Sequence, residues 1–77
     1  MLKKIIDNNP DFDFLIIEGF DNCVIGIEYN KNVLIYSMEK MLLKLNETMT
    51  ETEAIEHLTT NITDNYLGKK TPLFLWV

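Results

Sequence analysis

Few residues in this chain are of types that do covalent or metal chemistry. The one histidine, His57, stands four residues after Glu53 in "ETEAIEHL". On a helix that spacing allows a carboxylate–imidazole contact or two ligands to one metal. Zinc takes three or four ligands, and no further His or Cys lies nearby, so the pair reads as part of a solvated helix face. The one cysteine, Cys23, would need a neighbouring base to serve as a nucleophile. Its place at the head of the apolar run "CVIGIEY" makes it a buried, inert thiol instead. Ser37, His57 and Asp21 could be drawn as a triad, but Ser37 is better placed to cap a helix. Nothing resembles a nucleophile elbow or a phosphate loop. The chain is therefore expected to be no enzyme, with no catalytic residue, no metal and no cofactor.

Two other sets point to recognition. Asn61, Tyr66 and Thr71 could bring an amide, a phenol and a hydroxyl together near the turn before the last apolar run. They would make a small polar pocket. Alternatively, Asn61 binds the backbone of the 67–72 turn and pins the chain's end. The second set lies in "PLFLWV". Alternation on a strand puts Leu73, Leu75 and Val77 on one face and Phe74 and Trp76 on the other. If helices cover one face only, the other is left open, and aromatic anchors dominate protein-binding hot spots. In a lone subunit, Trp76 would instead cover the rim of the core.

Composition narrows the partners. Seventy-seven residues suffice for a single domain, residues 1–77. A domain of that size buries only about 60% of its unfolded surface, so its stability margin is thin. A single cysteine excludes an internal disulfide and fits a reducing compartment. Self-association is then an open route to added stability. Twelve acidic residues oppose seven lysines, with no arginine, for a net charge of −5. Nucleic acid is an unfavourable ligand for such a surface. No apolar run approaches the roughly 20 residues of a membrane span, and "MLKKIIDNNP" lacks a signal-peptide core. A soluble, intracellular protein is expected.

The elements that must hold these residues are legible in the periodicities. Leu2 to Asn9 suits a short helix, with Leu2, Ile5 and Ile6 on one face and Pro10 at its end. Residues 11–18, "DFDFLIIE", have the aromatic and β-branched composition of a strand, although their start resembles a helix N-terminus. "CVIGIEY" and "VLIY" flank "NKN" as a hairpin, with Cys23, Ile25, Ile27 and Tyr29 expected to face the core. Gly26 inside the first arm suggests a bulge or a close approach. At Ser37 the period lengthens: Met38, Met41, Leu42 and Leu45 fall on one face of a helix that Ser37 caps. Thr50 and Glu53 form a capping box for a second helix with an apolar stripe of Ile55, Leu58, Ile62 and Tyr66. Thr59, Thr60, Asn61 and Thr63 are poor helix formers in its later turns, so packing must hold them. Gly68 and Pro72 terminate it, and "PLFLWV" supplies a last strand. The expected fold is α+β: a small antiparallel sheet, made of the hairpin and the C-terminal strand, with a helical hairpin packed on one face.

The chain also resembles a family of short uncharacterised proteins encoded by tailed bacteriophages. The resemblance lies in "GFDNCVIGI", "YSMEKMLLKL", "MTETEAIEHL" and "NITDNYLGKKTPLFL". The family pattern reads roughly Gly-Phe-Asp-x-x-Ile-Ile-Gly, then Met-Thr-x-Glu-Glu-Ala, then Asn-Ile-x-Gly-Ala-Tyr-x-Gly-x-x-Thr-Pro-x-Phe. Gly19, Phe20, Asp21, Ile25, Gly26, Met49, Thr50, Glu53 and Ala54 fit it, as do Asn61, Ile62, Tyr66, Gly68, Thr71, Pro72 and Phe74. Asp64 and Asn65 replace the usual Gly-Ala, and Lys69 stands where an acid is usual. The resemblance implies a phage setting, hence the host cytoplasm, and a fold; it implies no reaction.

Together these readings lead to a small non-enzymatic phage accessory protein. It would bind a host protein, such as a defence or transcription component, or a second copy of itself, and block its working surface. Phe74 and Trp76 would be the anchors, with Glu51, Glu53 and Glu56 a weaker electrostatic contribution. The alternatives are an oligomeric binder of a nucleotide-like small ligand, using the pocket of Asn61, Tyr66 and Thr71, and a structural or assembly component of the virion.

Overall fold

The computed structural model describes residues 1–63 and 68–77, with side chains throughout except at 61–63. Helix α1, Leu2–Asn8, buries Leu2 and Ile5 and turns Ile6 outward. The amide and side chain of Asn9 close it, with Asn9 Nδ2 donating to the Ile5 carbonyl at 2.8 Å. A 3-10 turn at Asp21–Cys23 leads into β1, Val24–Glu28, and a turn leads on to β2, Val33–Ser37. Helices α2, Met38–Leu45, and α3, Glu51–His57, form a helical hairpin, and β3, Leu73–Leu75, ends the sheet. The class is α+β, as the periodicities predict.

The sheet itself departs from expectation in one respect. Its order is β1-β2-β3, with β1 antiparallel to β2 but β3 parallel to it. It is mixed, not antiparallel. Parallel pairing requires a crossover, and the helical hairpin between β2 and β3 is that crossover. Composition cannot reveal strand direction; the helical return does. Residues 11–18 also form neither strand nor helix. The Ile17 amide, which a ladder would require, donates to the Tyr36 hydroxyl at 2.9 Å instead.

Within the hairpin, Val24 opposes Tyr36 while Gly26 opposes Ile35, so Ile25 is the extra residue of a bulge. The bulge beside Gly26 agrees with the glycine signal; a close approach does not, since the nearest atom to a Cβ built there is Ile35 Cδ1 at 3.8 Å. One extra residue reverses the facing of the strand on either side of it. Val24 therefore joins Cys23 in the core, and Ile27 packs against it from the far side of the bulge. Tyr29, expected inside, is exposed in the turn. That turn rests on Asn32 at φ 55°, a conformation asparagine tolerates, and on Glu28, whose two oxygens accept from the amides of Asn30 and Lys31.

Both helix starts follow their caps. Ser37 Oγ accepts from the Lys40 amide at 3.1 Å, and Thr50 and Glu53 complete the reciprocal capping box. Helix α2 buries Met38 and Met41, with Leu42 and Leu45 partly buried beside them. In α3 the buried residues are Ala54 and the following Leu58, four apart, so the contact line runs one residue to the side of Ile55, which is exposed. Ile62 and Tyr66, the rest of the expected stripe, lie outside the described side chains. Beyond His57 the helix widens into π-helical turns over Leu58–Thr63. Thr59 Oγ1 donates to the carbonyls of Ile55 and Glu56, the back-bonding by which threonine loosens a regular ladder.

At the centre, β2 is buried on both faces. Leu34 and Tyr36 meet Met41 and Leu58 on one side, and Val33 and Ser37 are buried on the other. Replacing Tyr36 by Phe keeps the ring but strands the Ile17 amide without its acceptor. The expected loss is about 1–3 kcal/mol, read as a lower urea midpoint at unchanged slope.

Candidate functional site

Residues expected to carry recognition fall in two places. Phe74 pairs with Tyr36 across the parallel ladder, and their rings stack at 6.0 Å between centroids and 28° between planes. Half-buried, Phe74 braces the strand against the core. Trp76, two residues on, lies past the end of β3 and is 57% exposed. Its neighbours Leu75 and Val77 are 43% and 59% exposed. Three consecutive apolar side chains thus stand open at one end of an edge strand. Their backbone is fixed by Ser37, whose Oγ donates to the Val77 carbonyl while accepting from α2. Leu75 and Val77 were not expected as part of the open set; the signal for them was the edge position of β3, which depends on its pairing.

The acids stand on another element, α3. Glu51, Glu53 and Glu56 are all exposed. Glu53 is held locally, its Oε1 accepting from Thr50 Oγ1 at 2.9 Å and from the Thr50 amide at 3.3 Å. Glu53, Glu56 and His57 line a shallow cleft with Met49 and Thr60. Among the described residues no group of three or more His, Cys, Asp or Glu could hold a metal ion. No hydrogen bond or ring contact links these acids to Phe74 or Trp76 among the described residues.

Of the polar set, Thr71 alone is described; the side chain of Asn61 and all of Tyr66 lie outside the described residues. Thr71 lines a cleft of about 490 Å³ with Lys31, Gly68, Lys69, Pro72 and Leu73. Its Oγ1 is buried with no hydrogen-bond partner among the described residues. Gly68, at φ +116°, opens the turn into β3, and the Thr71 amide donates back to its carbonyl at 3.3 Å. Asp21, Ser37 and His57 do not assemble as a triad: Ser37 is buried at the start of α2, and Asp21 is exposed in the 3-10 turn.

Cys23 is buried where the 3-10 turn meets β1. Burial pushes its thiol above the ordinary value of 9.0, with the charges of Lys44 and Lys40 pulling the other way. Lys44 also donates to the Gly19 carbonyl and lies 5.7 Å from the centre of the Phe20 ring, a cation–π distance. A raised thiol pKa is the reverse of what an activated nucleophile needs.

No protein-family model, curated protein or solved structure matches the chain. Among the described residues no helix is long and apolar enough to cross a membrane.

Two outcomes follow from these placements. The native thiol holds its proton more tightly than the unfolded one, so its contribution to stability is present below about pH 9 and declines as the pH rises through the folded value. Urea midpoints at about pH 8 and about pH 10 should fall more steeply for the natural chain than for Cys23→Ala, which removes this titration from the background of lysines and tyrosines. Separately, Thr71→Val removes a buried hydroxyl that has no partner among the described residues. It should raise stability by about 1 kcal/mol in thermal or urea unfolding, whereas a loss would mean the hydroxyl is bonded.

Proposed function

We propose that this chain is a non-enzymatic binding protein that docks another protein through the open end of its C-terminal strand. The observation that carries this reading is the run Leu75-Trp76-Val77, exposed at 43, 57 and 59% on an edge strand. A large exposed indole beside two aliphatic side chains is the composition of a hot spot, and the outer edge of β3 offers main-chain donors and acceptors to an added strand. Phe74 supports the site from behind through its stack on Tyr36. Glu51 and Glu56, exposed on α3, add a weaker attraction to a basic partner surface, with Glu53 held by its capping role. Docking of so small a body on a partner acts by occlusion.

The resemblance to short tailed-phage proteins supports a host protein as that partner, one whose blocking benefits a phage, such as a defence or transcription component. The acidic balance of the chain fits a partner with a basic rim. The test is capture from host lysate by the natural chain and by Trp76→Glu, with sedimentation of both. Since Trp76 is solvated, the variant should melt at an unchanged temperature while the specifically captured protein drops by tenfold or more. Equal capture by both proteins would remove Trp76 from the interface and the proposal with it.

A further inference from the structure

The start of β3 differs in character from its end. Because β3 runs parallel to β2, with Leu73 opposite Ile35, the segment entering β3 lies beside the turn that enters β2. This juxtaposition brings Lys31 and Lys69 to the lining of one cleft, shared among the described residues with Gly68, Thr71, Pro72 and Leu73. The cleft measures about 490 Å³, within the range of small-ligand sites. Both lysines are exposed, and neither has a carboxylate partner among the described residues. Glu28, the acid nearest Lys31 in sequence, turns both oxygens to the amides of Asn30 and Lys31. In a chain of net charge −5, two unpaired ammonium groups on one cleft are an arrangement that a bound anion would relieve.

We infer that this cleft binds a small organic phosphate monoester of nucleotide size. A phosphate monoester carries close to two negative charges at neutral pH and is matched by two lysines; a carboxylate would leave one ammonium uncompensated. Lysine acts on phosphate as a mobile point charge, so convergence of the two side chains on the ligand needs no fixed fork. The half-buried side chain of Leu73 offers apolar contact to a flat body such as a nucleobase. Thr71 lines the same cleft, its hydroxyl oxygen buried beneath the surface a ligand would meet. The site is separate from the open end of β3 and does not rest on the docking proposal.

The experiment is a titration of the isotope-labelled full chain with AMP, followed by amide chemical shifts, with adenosine and inorganic phosphate as the two halves of the probe. AMP should shift the amides of Lys31, Lys69, Thr71 and Leu73, and should bind more tightly than either half. The double variant Lys31→Gln/Lys69→Gln should weaken AMP by at least about tenfold. Lys3→Gln/Lys4→Gln, the same change of charge placed on α1, should leave it within about twofold. Trp76→Glu should also leave AMP binding unchanged, so loss of the docking face and loss of this site are read separately. The inference is overturned if millimolar AMP shifts none of the cleft amides. It is equally overturned if adenosine binds as tightly as AMP, or if both lysine pairs weaken binding alike.

Discussion

Tyr36 is the side chain on which the rest of the structure depends. It sits fully buried in the middle strand of three. Its hydroxyl accepts the amide of Ile17, its ring stacks on Phe74, and its backbone lies opposite Val24 on one side and Phe74 on the other. Segments nineteen residues before it and far after it in sequence are thereby held to one residue. A buried phenol suits this position because it offers a large apolar surface and one polar atom. In a chain this short, the loss of any one of these contacts removes a large share of what separates folded from unfolded.

A second buried residue extends the same logic to the surface. Ser37 follows Tyr36 directly, and its one hydroxyl both caps α2 and holds the carbonyl of Val77. The end of the chain is fixed in its backbone while its side chains remain open. An interaction surface benefits from that combination, because a pre-positioned backbone loses less freedom when a partner arrives. The cation cleft at the opposite end of β3 is likewise fixed by pairing to β2. The chain thus enters one three-residue strand beside a lysine-lined cleft and leaves it at an apolar end, and both flanks depend on the pairing of β3 with β2.

Three local signals in the sequence have their counterparts in the structure, each a case of a side chain acting on nearby backbone. Ser37 capping α2, the Thr50–Glu53 box and the asparagine-rich hairpin turn are bonds over two to four residues, so residue type and spacing suffice to define them. The glycine at position 26 likewise marked the bulge. What it could not mark was the side on which the extra residue falls, and that choice moved Val24 inward and Tyr29 outward. Residues 11–18 show the opposite failure: strand-like composition without a strand, because the sheet has no ladder there and Tyr36 takes the Ile17 amide.

The sequence by itself determined the helices, the hairpin, the α+β class and the apolar character of the last segment. Each of these follows from periodicity or from capping chemistry, which act over a few residues. Only the tertiary structure decided that β3 runs parallel to β2, that Phe74 turns to the core while Leu75, Trp76 and Val77 stay open, and that Lys31 and Lys69 line one cleft. Those outcomes depend on the path of the chain between β2 and β3. The direction of that return is set by how the crossover helices pack on the sheet, a long-range result that no short run of residues encodes.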